Sequence, residues 1–215
     1  MTTTLILAAG AALRWHKPYP KQLVPVSYKD PVSSTVMTVP LIGRVVMQAV
    51  NAGLEPIIVT HRHEILGLSR TLPCRAHIPS ARGYITETLL STRSLWTERN
   101  IILLGDVYYS DNVFQHIVGS VDPLQFYGRD FEIYALVFLS YGKDATIANL
   151  LQRHPGKLWR LYYALRSWNK SGHHIPRNDP IFWNIDDRCK NDVTRDIDLL
   201  PQVKELYDAI GYKPG

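Results

Sequence analysis

The sequence predicts an α/β fold: one Rossmann-like domain over residues 1–215, a mixed, mostly parallel sheet with helices on both faces. Three observations lead there. Apolar runs of strand length alternate with stretches whose apolar residues recur at helical spacing, the pattern of strands joined by crossover helices. Several of those runs are continuous rather than alternating, as in strands buried on both faces. Finally, 215 residues suffice to bury one good core, with no linker, internal repeat or low-complexity tract to divide it.

The elements follow in order. Thr3 to Ala8 reads as the first strand. Residues 27–40, "SYKDPVSSTVMTVP", are polar and proline-bounded, and predict a loop or hairpin. "PLIGRVVMQAVNAG" places Leu41, Val45, Val46, Ala49 and Val50 on one helical face and stops at Gly53, a suitable C-terminal glycine. "EPIIVT" is the next strand; "TETLLSTRSLW" is a helix with Thr86 or a neighbour as its cap; "NIILLGDVYY" is a buried strand with a polar end. "SDNVFQHIVGSV" is a short helix and "FEIYALVFLS" another strand. Residues 145–169 are helical in two pieces broken around Pro155 and Gly156. A polar loop bearing His and Arg precedes the short strand "IFWNIDD", and "DIDLLPQVKELYDAIG" is a terminal helix.

Composition narrows the function. A net charge of +5 is mildly basic, but no Lys/Arg run exceeds two residues, so polyphosphate ligands suit the chain as well as nucleic acid does. Cys74 and Cys189 lack metal-like spacing and read as reduced thiols. No stretch has the form of a signal peptide or membrane span, so the expectation is a soluble, cytoplasmic chain. The histidines of "HRH" (His61, His63) and "HH" (His173, His174) lack third and fourth partners at zinc spacing.

In an open parallel sheet, ligands bind where strands end. The first strand leaves through small residues, Ala8, Ala9, Gly10, Ala11 and Ala12, and Arg14 and Lys21 follow. Small residues let a backbone approach a ligand closely, and two cations suit an anionic one. Asp106 in "LLGDV" and Asp186 in "NIDD" each come directly after an apolar strand, with Asp187 an alternative to Asp186. Together they suggest Mg2+ held by oxygens and bridging the phosphates of a nucleotide.

The run from Leu7, "LAAGAALR" continuing to "PKQL", resembles the signature of the nucleotidyltransferases of the nucleotide-diphospho-sugar transferase fold. The order of elements continues to agree through "PLIGRVVMQAVNAGLEPIIVT", "LLGDV" and the closing "IDD" with "RDIDLL". The resemblance implies that Leu7, Ala8, Ala9, Gly10, Ala11 and Ala12, with Gly105, form the nucleotide-binding loop and its surroundings. Arg14 would steady the β- and γ-phosphates, Lys21 would sit on the α-phosphate, and Asp106 and Asp186 would hold Mg2+. Gly83, Thr86 and Glu87 stand where relatives contact the base, although "TETLL" is equally a capped helix start. The implied reaction joins an NTP, with CTP the guess, to a phosphorylated sugar or alcohol and releases pyrophosphate. One departure stands out: Ala12 replaces the family's second glycine.

Two other readings keep the fold. A glycosyltransferase using a nucleotide sugar would call for a DxD-type motif, whereas Val107 and Tyr108 follow Asp106. A non-catalytic nucleotide-binding domain would accommodate Ala12 but leaves Lys21 and the aspartates without a task. The aromatics Trp159, Tyr162, Tyr163 and Trp183 read mainly as packing, with an aromatic box for a quaternary amine as the minor alternative.

Overall fold

The computed structural model describes residues 1–10, 19–81, 83–129, 132–140, 144–166, 178–189 and 192–196. The first half runs β1 (Thr2–Leu7), the hairpin β2 (Pro25–Lys29) and β3 (Val36–Pro40), α1 (Leu41–Asn51), β4 (Pro56–Val59), α2 (His63–Ser69) and β5 (Arg75–His77). Then come α3 (Ile85–Ser91), β6 (Arg99–Leu104), β7 (Val107–Tyr108), α4 (Asp111–Gly119), β8 (Leu124–Arg129) and β9 (Glu132–Leu139). The last described elements are α5 (Asp144–Arg153), α6 (Leu158–Leu165), β10 (Phe182–Asn184), α7 (Ile185–Arg188) and β11 (Arg195–Asp196).

The main sheet has seven strands in the order β10-β8-β9-β6-β1-β4-β5. Every neighbouring pair is parallel except the two that β9 makes with β6 and β8. The mixed, mostly parallel sheet expected from the alternation of elements is therefore the one observed. β6 lies at its centre, and β1 runs beside it, between β6 and β4. The chain leaves β1 towards β4 and later returns on its other side as β6, which makes the C-terminal end of β1 a switch point where ligands bind in such sheets.

Local chemistry explains the elements. Leu5, Ile6 and Leu7 of β1 and Ile101 to Leu104 of β6 are buried without alternation, because both faces of the central sheet are covered. Helix α1 buries Leu41, Ile42, Val45, Val46 and Ala49, and ends where Gly53 adopts φ +73°. There the amides of Gly53 and Leu54 reach back to Val50 and Ala49, closing the carbonyls that a helix end leaves open. The hairpin appears at residues 25–40, and α5 and α6 part at Pro155–Gly156, both as the sequence predicts.

Several elements differ from the sequence expectation. α2, β5 and β8 went unpredicted, since α2 buries only Ile65 and Ser69, β5 is three residues long, and β8 ends in polar Gly128–Arg129. The strand expected over 100–109 stops at Leu104, and the chain turns at Gly105–Asp106 before β7. Tyr109 bridges that break: its hydroxyl accepts the Leu104 amide at 2.9 Å and donates to the Tyr134 carbonyl at 2.6 Å. Burial pushes the Tyr109 pKa well up, which keeps that hydroxyl protonated and able to donate. The strand expected through Asp187 stops at Asn184, whose side chain accepts the Asp186 amide and opens the turn α7. The expected terminal helix lies outside the described residues except for Asp196, which is in β11.

Gly105 is needed for close approach. A Cβ there would lie 3.2 Å from the Leu7 carbonyl oxygen and 3.3 Å from both the Ala8 Cβ and Ile6 Cγ2. Gly105→Ala is expected to lower Tm by roughly 5 °C through overpacking. A calorimetric scan that leaves Tm unchanged would show that the two strand ends are not held this tightly.

Candidate active site

The C-terminal ends of β1 and β6 open onto a pocket lined by Leu7, Ala9, Gly10, Gln22, Ile85, Thr88, Leu104 and Asp106. Ala8 is tied into the sheet, its amide donating to the Val59 carbonyl at 2.9 Å and its own carbonyl accepting from Thr60 Oγ1 at 3.1 Å. Gly105 donates its amide to the Leu7 carbonyl at 2.9 Å. Of the expected loop, Leu7, Ala9 and Gly10 face the pocket, Ala8 and Gly105 hold its floor, and Ala11, Ala12 and Arg14 lie outside the described residues.

Lys21 stands beside this pocket in a 3₁₀ turn, Lys21–Leu23, which follows Pro20 and leads into β2. It is only 4% exposed, so its charge must be met inside the protein. Its Nζ lies 2.6 Å from Asp106 Oδ2 and 3.1 and 3.2 Å from the two carboxylate oxygens of Asp196. Two carboxylates from distant parts of the chain thus converge on one ammonium. Among the described residues, one ammonium here faces two carboxylates.

The approach of Asp196 is built by a connected set of hydrogen bonds. β11 pairs antiparallel with β7, setting Asp196 opposite Val107, one residue after Asp106. Preceding residues are fixed on two sides. Ser110, the cap of α4, donates its amide to Thr194 Oγ1 and its hydroxyl to Asp192 at 2.7 Å. Arg129, buried at the end of β8, donates to the carbonyls of Thr194 at 3.1 Å and Asp192 at 2.5 Å. From α1, Arg44 and Gln48 hold the turn after β7: Arg44 donates to the Tyr109 carbonyl and Asp111, and its guanidinium lies 4.2 Å from the Tyr108 ring centroid. Gln48 donates to Asp111 at 2.7 Å.

The structure brings together Lys21 and Asp106 from the expected set, and adds Asp196. Asp186 instead opens α7, half-exposed, with its carboxylate paired to Arg129. The neighbouring Asp187 shares that exposed first turn. Asp196 belongs to "RDIDLL", a segment read as a helix start, where an aspartate is an ordinary helix-opening residue; its only distinguishing signal was membership in the closing segment. Of Gly83, Thr86 and Glu87, none lines the pocket, and the last two bond within the protein. The Glu87 carboxylate accepts the Tyr84 amide at 2.9 Å, and Thr86 exchanges hydrogen bonds with both the amide and the carbonyl of Gly156. The helix face that reaches the pocket carries Ile85 and Thr88, one turn apart.

Gln22 also went unread. It is 2% exposed, lines the pocket, and its Oε1 has no hydrogen-bond partner. The aromatics form packing rather than a box, with Trp159 stacked on Tyr163 and Phe182, and Trp183 against His116 and Tyr127. Among the described residues no group of three or more His, Cys, Asp or Glu could by itself hold a metal ion. None of the described helices is long and apolar enough to cross a membrane.

No family model matches the sequence, and no curated protein does. Solved structures do. An inositol-1-phosphate CTP transferase from T. maritima superimposes with a TM-score of 0.54 at 12% identity, covering 78% of this chain and 82% of the other. A UDP-glucose pyrophosphorylase, solved with UDP-glucose, gives 0.51 at 15% identity over 78% and 88%. The chain shares their fold, the nucleotide-diphospho-sugar transferase fold that the N-terminal signature implies.

The unpaired Gln22 acceptor is a cost to the folded protein, on the order of 1–3 kcal/mol. Gln22→Met keeps the length and removes the orphan, so Tm is expected to rise by a few degrees. A fall in Tm would show that the carboxamide already has the partner it needs.

Proposed function

We propose that this chain is a nucleotidyltransferase that joins an NTP to a phosphorylated small-molecule acceptor with release of pyrophosphate. The observation that carries the reading is the convergence of Lys21, Asp106 and Asp196 beside the pocket at the end of β1. CTP is the nucleotide to try first, given the neighbour named for it.

Asp106 and Asp196 fit Mg2+ by donor chemistry. Their hard carboxylate oxygens already surround one cationic atom, and Mg2+ commonly takes one or two carboxylates and fills its remaining positions with water and phosphate. When bound there, Mg2+ would supply charge neutralisation and Lewis-acid polarisation of phosphate oxygens. Asp106 and Asp196 are the residues that would hold it.

The protein's own groups account for the rest. Loop residues Ala9 and Gly10 admit the phosphates close to the backbone, and Arg14 would steady the β- and γ-phosphates. Gln22 and Thr88 offer polar groups to the nucleoside side of the pocket. An oxygen of the acceptor's phosphate attacks the α-phosphorus, and the bond to the bridging oxygen of pyrophosphate breaks. Negative charge builds on the α-phosphate oxygens during that exchange. Lys21, released from the carboxylates, meets it with its ammonium. Such transfer needs positioning and charge neutralisation rather than a protein nucleophile.

A pyrophosphate-release assay of the four NTPs against phosphorylated sugars, polyols and amino-alcohols tests the reading. At least one pair should turn over, and Lys21→Ala should lower its kcat by roughly 10²-fold or more with a smaller change in NTP affinity. Asp106→Asn and Asp196→Asn should abolish turnover while Asp186→Asn retains it. Loss in Asp186→Asn with full activity in Asp196→Asn would move the second carboxylate to α7. No release with any NTP in the panel would count against the reading itself.

A further inference from the structure

Thr60 and Arg62, just beyond β4, form a clasp on the first loop. Thr60 is fully buried; its hydroxyl donates to the Ala8 carbonyl at 3.1 Å and accepts the Arg62 amide at 3.1 Å. That bond turns Arg62 back across the loop, where Nη2 donates to the Gly10 carbonyl at 2.8 Å. The clasp thus takes the carbonyls of Ala8 and Gly10 on the β4 side. A trans peptide sets its C=O and N–H in opposite directions, so the Ala9 amide points away from Thr60, to the side of the strand opposite β4. Arg62 also keeps a buried Nε–H with no acceptor. A guanidinium offers donors in a rigid fork suited to phosphate oxygens.

We propose that Arg62 is a positioning residue for the polyphosphate of the ligand. It holds Gly10 with its carbonyl turned outward and brings a positive charge to the same rim. This rests on the nucleotidyltransferase reading of the pocket. It also gives a use to the arginine between the two histidines of "HRH". The loop keeps Gly10 but has Ala12 where the family pattern has a second glycine, so an external clasp bears on how the loop is held.

The test uses the full chain with Mg2+ and two probes, inorganic tripolyphosphate and CMP, in titration calorimetry. Arg62→Met should weaken tripolyphosphate binding by about tenfold, the scale of one charge-assisted hydrogen bond, and CMP binding by less than about twofold. Arg62→Lys keeps one donor and the charge, and should recover part of the loss. With a turnover substrate in hand, the Met variant should raise the KM for NTP with kcat nearly unchanged. Equal weakening of both probes, with Tm lowered, would make the clasp merely structural and overturn the proposal. Wild-type binding of tripolyphosphate by Arg62→Met would also overturn it, and leave the reading of Lys21 and the aspartates standing. Failure of the wild-type chain to bind tripolyphosphate at all would remove both.

Discussion

The site depends on one constraint: a buried lysine has to be neutralised, and it is neutralised by two aspartates from distant parts of the sequence. Lys21 and Asp196 are 175 residues apart, and Asp106 stands between them in the chain. Removing one partner of a buried ion pair costs on the order of 3–5 kcal/mol, because the other charge is left uncompensated. The first loop, the end of the central strand β6 and the two-residue strand β11 are therefore held together by charge at a point where little apolar contact joins them.

Around that point, the fold provides a frame rather than further charge at the centre. Arg44 and Gln48 on α1 hold the turn that follows Asp106. Ser110 and Arg129 hold the backbone that precedes Asp196. Arg129 links the two parts of the closing segment, since it binds the 192–194 backbone and pairs with Asp186. An arginine buried at a strand end and donating to two carbonyls acts as a strut. Asp186 completes its charge balance.

The sheet was legible because burial on both faces leaves long apolar runs and amphipathic helices, and these dominate the first 140 residues. Lys21 and Asp106 were legible because each stands next to a feature with its own signal, a proline-bracketed turn and a buried strand. Asp196 was not. Its role is made by an antiparallel pairing of two residues with β7, far too short to leave a periodic pattern, and by hydrogen bonds from Ser110 and Arg129 that no local pattern encodes. Gln22 and Arg62 were obscured for a similar reason: a polar residue beside a lysine or between two histidines reads as solvated until the fold gives it a pocket or a carbonyl to meet. On α3 the pocket takes Ile85 and Thr88, while Thr86 and Glu87 of the same helix start bond to Gly156 and Tyr84.

The central claim is that Asp106 and Asp196 form a single cation point, held by the Lys21 ammonium until a divalent ion takes its place. Titration of the nucleotide-free chain with Mn2+, followed by the loss of the free-ion signal in electron paramagnetic resonance, measures this directly. Lys21→Met removes the competing charge, so its Mn2+ affinity should exceed that of the wild type by about tenfold or more, the direction set by Coulomb attraction to two carboxylates no longer facing the ammonium. Adding Asp196→Asn to that variant should reverse the gain. Equal or weaker Mn2+ binding by Lys21→Met would contradict the account, because the two carboxylates would then serve only to bury a lysine.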